Sequence, residues 1–265
     1  MTRIAPYGSP AWRRWKHDHH WATDPLGEGN TALISALGGN AAVLGFYDAR
    51  KNVTLSGSTV TQIDDVRGAV GFGPSLIGTG HAPTWNASAQ RASNTASTMF
   101  LQTTATSKFD VSGPLTLITV QSVPTTSSDF VCAVTDGSTN TRVLGVAGNL
   151  SGNIRMLKSG GNAQISSVAP GASLRLAIVP ASASAFGIAV ANAPLVRSLA
   201  AGLGASGNNV LTVFGSNAAS TNTGSVWRAT IVVAGDLGIG TGTTYTVAMT
   251  AAAKWAHAEH AAVLA

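Results

Sequence analysis

The chain has 265 residues, 45% of them hydrophobic and only 10% charged, well below the roughly 25% charge of an ordinary soluble domain. That length can bury a full core without staples, and a single cysteine, Cys132, excludes an intramolecular disulfide. The formal charge of +5 is concentrated in the first 20 residues, where Arg3, Arg13, Arg14 and Lys16 stand against Asp18 alone; the nearly neutral remainder excludes a basic nucleic-acid face on the body.

Residues 1–38 read as an N-terminal anchoring arm that ends in a short helix. Pro6, Pro10 and Pro25 interrupt regular structure, and the stretch from Trp12 to Trp21 holds three of the six tryptophans. Cations interleaved with aromatics, outside any helical or strand period, suit docking on a partner protein, where Trp and Arg are favoured anchors. Packing back on the body and stacking on nucleic acid are the competing readings. The docking stretch is residues 1–30, with Trp12, Arg13, Arg14, Trp15, Lys16 and Trp21 as its anchors. His17, Asp18, His19 and His20 have metal-binding chemistry, but so short a polar run lacks the hydrogen bonds that orient ligands. No metal and no cofactor are therefore expected. Met1–Tyr7 lacks the apolar stretch of a signal peptide, and no run approaches the ~20 apolar residues of a membrane helix, so no membrane contact is expected either.

Residues 39–265 read as one all-β unit closed by a helix. Thr31–Leu37 predicts a short helix that stops at Gly38 and Gly39, and Val43–Arg50 and Val53–Ile63 follow as extended segments. From Leu115 to Val233, apolar runs recur between Gly, Asn, Ser and Pro, the pattern of antiparallel strands in a sandwich. These runs are Leu115–Val120, Ser173–Val179, Phe186–Ala191, Leu211–Ser216 and Trp227–Val233. Leu115–Val120 is apolar on both faces, which suits a strand covered by a second sheet on one side and by loops on the other. Asn153–Lys158 and Ala163–Val168 alternate as half-exposed strands do. Pro180 and Pro194 fall just past strand-like runs, where a missing N–H costs little. The glycines from Gly235 to Gly242 match no phosphate-loop spacing and read as a connection. From Thr243 on, Met249, Ala252, Ala256 and His260 recur at helical steps, with His257 and His260 on the rim of the helix. Cys132 reads as a small buried hydrophobe.

The order Tyr47-Asp48-Ala49, Leu55-Ser56-Gly57, Val60-Thr61-Gln62-Ile63-Asp64, Arg67-Gly68 and Ala82-Pro83-Thr84-Trp85 is similar to the opening of concanavalin A-like, laminin G-type domains. Ile63 stands where that opening usually has Trp. The runs Leu115–Val120, Ser173–Val179, Phe186–Ala191, Leu211–Ser216 and Trp227–Val233 resemble strands of the same family, which extends the likeness over roughly residues 40–260. The resemblance implies an all-β, two-sheet concanavalin A-like jelly-roll sandwich. It is the kind found in phage or gene-transfer-agent virion proteins: tail fibres, head spikes and decoration subunits. It further implies assembly in the host cytoplasm and other virion proteins, capsid or tail, as partners of the arm. A homo-oligomer, in the manner of trimeric fibres, and contact with host-surface polysaccharide are implied as well. Asp48 is expected to hold a turn.

Enzymes on this fold place two acids across a glycosidic bond, and their Glu-x-Asp-x-x-Glu strand is absent here. The only glutamates are Glu28 and Glu259. Asp64 and Asp65 are neighbours, so on a strand they face opposite sides. His81 is the only histidine between the arm and the final helix, and no Gly-x-Ser-x-Gly elbow frames a serine. Asp129, Asp136 and Asn140 match no calcium-loop spacing. No catalytic residues are expected. Tyr47, Trp85 and Trp227 are the candidates for stacking on a sugar ring, with core packing as the competing role of each. The function expected is thus a non-enzymatic virion subunit. Its alternatives are a free-standing carbohydrate-binding module and a glycan-active enzyme.

Overall fold

The computed structural model describes residues 28–68, 73–78, 82–96, 99–104, 109, 113–123, 130–136, 142–148, 153–158, 163–165, 168–182, 184–191, 193–198, 209–215, 224–238 and 246–262. Helix α1 (Glu28–Ala36) leads into β1 (Val43–Asp48), β2 (Val53–Ser56), β3 (Thr59–Ile63), β4 (Leu76–Ile77), β5 (Thr84–Asn86), β6 (Arg91–Ser93) and β7 (Leu101–Thr103). The long strands follow: β8 (Leu115–Val123), β9 (Phe130–Asp136), β10 (Arg142–Gly148), β11 (Ile154–Lys158), β12 (Ala163–Ile165) and β13 (Gly171–Ala181). Next come β14 (Phe186–Val190), β15 (Val196–Ser198), β16 (Asn209–Val213) and β17 (Val226–Ala234), and helix α2 (Val247–His260) closes the described chain.

All pairings are antiparallel and resolve into two layers. The first has the order β1–β17–β8–β13–β14–β15, with β6 continuing the β1 edge alongside Val226 and Trp227. The second has the order β12–β11–β10–β9–β16–β7–β4–β3–β2. Strand β5 joins them, pairing with β3 of one layer and β6 of the other. This is the expected all-β, two-sheet antiparallel sandwich with its C-terminal helix. The turn between β2 and β3 is tight: Ser56 pairs with Thr59, and Gly57 takes φ 60°, a left-handed backbone that glycine adopts without strain.

The core between the layers is built from alternate residues. Leu115 and Leu117 of β8 meet Val134 of β9, Leu144 and Val146 of β10, and Leu211 and Val213 of β16. The other face of the first sheet is buried too. Phe46, Ile118, Val120, Leu176, Ile178, Ala229, Ile231 and Val233 form a second cluster with Leu33, Ile34 and Leu37 beside α1 and with Met249, Ala252, Trp255 and Ala256 of α2. Two helices, not loops, therefore cover the outer face of β8, which corrects the expectation drawn from its double-sided apolar pattern. Either cover satisfies that pattern, so the sequence of the strand cannot distinguish them.

Thr246 caps α2 by accepting the Met249 N–H at 3.1 Å, ahead of Val247 rather than at Thr243. Trp255 ties the cover together. Its indole N–H donates to Asn30 Oδ1 of α1 at 2.8 Å, and its ring meets Phe46 of β1 edge-on with centroids 5.6 Å apart. Pro180 lies inside β13 rather than past it. The ladder to β14 pairs Ala177, Ile178 and Ala181 but skips Val179 and Pro180, which accommodates a residue without an N–H in a central strand.

Replacing Trp255 with Ala is expected to destabilise the fold by about 3–5 kcal/mol, the usual loss for a large buried aromatic. Urea unfolding of Trp255→Ala checks this, and a loss below about 1 kcal/mol would show that α2 is not a necessary cover.

Candidate functional site

The residues proposed for docking, Trp12, Arg13, Arg14, Trp15, Lys16 and Trp21, lie outside the described residues, as do the neighbouring histidines, His81, Asp129 and Asn140. The sugar-stacking candidates are described, and the structure does not bring them together. Tyr47 and Trp227 are fully buried in the core between the sheets, so neither can meet a sugar. Both faced inward because they alternate with Phe46 and with Arg228. The Tyr47 hydroxyl donates to the Pro74 carbonyl at 2.6 Å, and burial, reinforced by Asp65, pushes its pKa well above the ordinary phenol value. The Trp227 indole N–H donates to Thr230 Oγ1 at 2.7 Å, and that hydroxyl in turn donates to Thr119 Oγ1 at 3.1 Å. Cys132 Sγ lies 3.3 Å from the same Thr230 oxygen. Its thiol is pushed up to about 12, chiefly by burial, so it is an inert core group. Only Trp85 remains half-buried, packed against the core from β5.

The described carboxylates are engaged in holding the fold. Asp48 and Asp65 repeat one local device, Asp-x-Arg. In each, Oδ1 accepts the backbone N–H of the arginine two residues on, at 2.9 Å, and the same arginine folds back on the carboxylate. Arg50 reaches Asp48 with Nε at 3.0 Å and Nη2 at 2.6 Å. Arg67 reaches Asp65 with Nε at 2.9 Å and Nη2 at 2.7 Å. Asp48 thus holds its turn, as expected, and does more. Asp65 also accepts from Phe46 N at 3.0 Å and Gly73 N at 3.2 Å, while Arg67 Nη1 donates to the Val43 carbonyl at 2.7 Å. Asp236 accepts both terminal nitrogens of Arg197, at 3.2 and 2.8 Å, and the Gly238 N–H at 2.9 Å. Asp64 accepts from Gln62 at 2.7 Å and from the Ser75 hydroxyl. Asp64 and Asp65 do not converge: one serves the β3–β4 side and the other clamps β1.

Arg50 also reaches α2, where Nη1 donates to the Glu259 carbonyl and lies 3.4 Å from Glu259 Oε2. Beside it sits His260, which is 1% exposed, not on the helix rim; His257 does lie exposed. The His260 ring packs edge-on against Trp255 at 4.5 Å, and Nε2 is 3.7 Å from Asp48 Oδ2. Burial lowers the His260 pKa to about 3, outweighing the attraction of Asp48, so the imidazole is neutral. Burial raises the Asp48 pKa, but the Arg50 hydrogen bonds together with His260 bring it below the ordinary value. The Asp-x-Arg repeat was the signal available in the sequence for these clamps. Its meaning depends on a turn after the strand that no motif announces.

An apolar groove runs between the helices, lined by Gly29, Ala32, Leu33, Ala251, Trp255 and Ala258. It lies where the N-terminal residues join α1. Among the described residues, no three His, Cys, Asp or Glu side chains gather to hold a metal ion, and no helix is long and apolar enough to cross a membrane.

Two expectations follow. Below the unfolded histidine pKa of about 6.5, the unfolded chain takes up a proton at His260 that the folded chain refuses until about pH 3. Stability is therefore fully present above pH 6.5 and falls as the pH drops through that window. Thermal melts of His260→Phe should show a flatter pH dependence there, and an unchanged slope would contradict the assignment. Replacing Asp65 with Ala strands Arg67, whose side chain is 2% exposed. The expected loss is about 3–5 kcal/mol, read by urea unfolding.

No protein family matches the chain, and no curated protein does. Its likeness is to solved structures, at 10–12% identity, and shows the fold alone. A Trypanosoma rangeli sialidase in complex with sialic acid aligns with TM-score 0.55 and 11% identity, over 74% of this chain and 31% of the sialidase. A structure of botulinum neurotoxin type C, whose cell entry is dependent upon interaction with two ganglioside molecules, aligns with TM-score 0.51 and 12% identity, over 75% of this chain and 49% of the other. The botulinum neurotoxin serotype D binding domain aligns with TM-score 0.52 and 10% identity over the same shares. This chain thus spans about a third to a half of the proteins it resembles, and what it shares with them is a β-sandwich.

Proposed function

We propose that the chain is a non-catalytic subunit of a larger particle, held through its N-terminal residues and presenting its sandwich to glycans. The observation that carries this reading is the use of the acids. Asp48, Asp64, Asp65, Asp236 and Glu259 each serve a turn, an arginine or a helix end. A glycosidase instead needs two carboxyl groups about 5–10 Å apart, facing one sugar. Support for tethering comes from the tryptophans and cations between residues 12 and 21, which precede in sequence the helix α1 that forms one wall of the apolar groove. The sequence resemblance makes a virion the particle, with capsid or tail proteins as partners, assembly in the host cytoplasm and a homo-oligomeric subunit. The glycan-facing half has independent support: the sialidase and the ganglioside-dependent toxin share this sandwich.

Deletion of residues 1–27 tests the tether. The shortened chain should keep the far-ultraviolet circular dichroism and cooperative melt of the full chain, yet be missing from purified particles. Retention in particles at full stoichiometry would overturn the tether. The glycosidase alternative predicts release of reducing sugar from host polysaccharide; the proposed function predicts none.

A further inference from the structure

Two arginines at one corner of the first sheet pair with no acid among the described residues. Trp227 pairs with Ala92 and Val226 with Ser93 across β17 and β6. The ladder stops there, because the Arg228 carbonyl accepts from the Ala49 N–H just past the end of β1, and Arg91 and Arg228 are the residues that flank its last pair. Trp227 and Ala92 point into the core between the sheets, so the two arginines flanking them lie on the outer face. The two are near enough for the charge of Arg91 to act on Arg228, and like charges at neighbouring positions of a sheet repel. The Nε–H groups of both guanidinium groups are buried and donate to no partner among the described residues, while each residue as a whole is partly exposed. Arg50 is close by, but it already holds Asp48 and Glu259. Burial, then Arg50 and Arg91, pull Arg228 below the ordinary guanidinium pKa, against the counter-effect of Asp48. A fold that keeps two unneutralised cations side by side leaves them a free binding capacity for an anion.

The surroundings indicate which anion. On the same face, Asn86 lies across from Arg91, and Thr84 across from Ser93. Thr84 and Thr95 share a hydroxyl contact at 3.2 Å, and Asn86 and Thr95 are exposed. Neutral hydroxyl and amide groups beside a cation pair match a sugar that carries one acidic group. A nucleic acid would call for a longer track of cations along its backbone.

We propose that Arg91 and Arg228, with Asn86, Ser93 and Thr84 around them, form a binding site for the carboxylate or sulfate group of an acidic saccharide. The guanidinium pair would take the oxyanion oxygens, and the hydroxyl and amide side chains the sugar hydroxyls. This inference names the ligand class for the glycan-facing half of the proposed function and rests on that half. It is independent of the tether.

The test is calorimetric titration of the full-length chain with polygalacturonate, with uncharged dextran, and with inorganic sulfate. Polygalacturonate should bind saturably, dextran should not, and sulfate should compete only weakly. Arg91→Gln and Arg228→Gln should each weaken polygalacturonate binding by about tenfold or more, as the loss of a charge-assisted hydrogen bond predicts. Lys254→Gln, which removes the same charge at an exposed position of α2, should change it less than about twofold. Removing either arginine should also leave the melting temperature equal or higher, because it relieves repulsion; a lost fold is thereby separated from a lost site. Equal affinity in the arginine variants and the wild type would overturn the site. Sulfate binding as tightly as the polymer would overturn the saccharide assignment. Failure of polygalacturonate to bind would overturn the proposal, while particle incorporation of Arg91→Gln would still report on the tether alone.

Discussion

The structure depends on giving one sheet two covers. Strand β8, its neighbour β17 and the Leu176–Ala181 half of β13 are buried on both faces, and a sheet of that kind is stable only if something apolar lies on each side. The second sheet supplies one cover. The other is a pair of helices that are weak on their own: α1 has nine residues, too few to persist in water without tertiary support. Their hold on the sheet is therefore concentrated in a few contacts, namely Trp255 against Phe46, its indole on Asn30, and Arg50 on the end of α2.

This arrangement determines where the charges go. A chain with 11 acids among 265 residues has few to spare, and three of the described ones are pinned with arginines in buried clamps at strand ends. A buried carboxylate is tolerable only when its charge is paired and its oxygens hydrogen-bonded, and each clamp meets both conditions through a turn N–H and a guanidinium fork. Groups so satisfied are poor acids or bases, because a catalytic carboxyl needs an environment that raises its pKa towards neutrality. The same economy makes Arg91 and Arg228 conspicuous, as half-buried cations that form no ion pair among the described residues.

Much of the fold was legible from residue type and period. Leu115–Val120, Phe186–Ala191 and Trp227–Val233 became β8, β14 and β17 because alternation and β-branched residues are local properties. The cover on β8 was not legible, since a face apolar to a helix and a face apolar to a loop read alike. The roles of individual aromatics were the least accessible. Tyr47 and Trp227 have the chemistry of sugar stackers, and only the register of their strands turns them inward. His260 is one helical turn from exposed His257 in type and spacing, yet the Arg50–Asp48 clamp pulls it beneath Trp255. The corner of Arg91 and Arg228 lies 137 positions apart in sequence and exists only through the pairing of β6 with β17.

The claim that the carboxylates of Asp48, Asp64, Asp65, Asp236 and Glu259 are structural rests most directly on Asp48, and carbon-13 NMR titration of its side-chain carboxyl in the full-length chain measures it. The account predicts a midpoint below the ordinary aspartate value, unchanged when saccharide is added. A midpoint raised towards neutral pH would mark Asp48 as a proton donor and contradict the account.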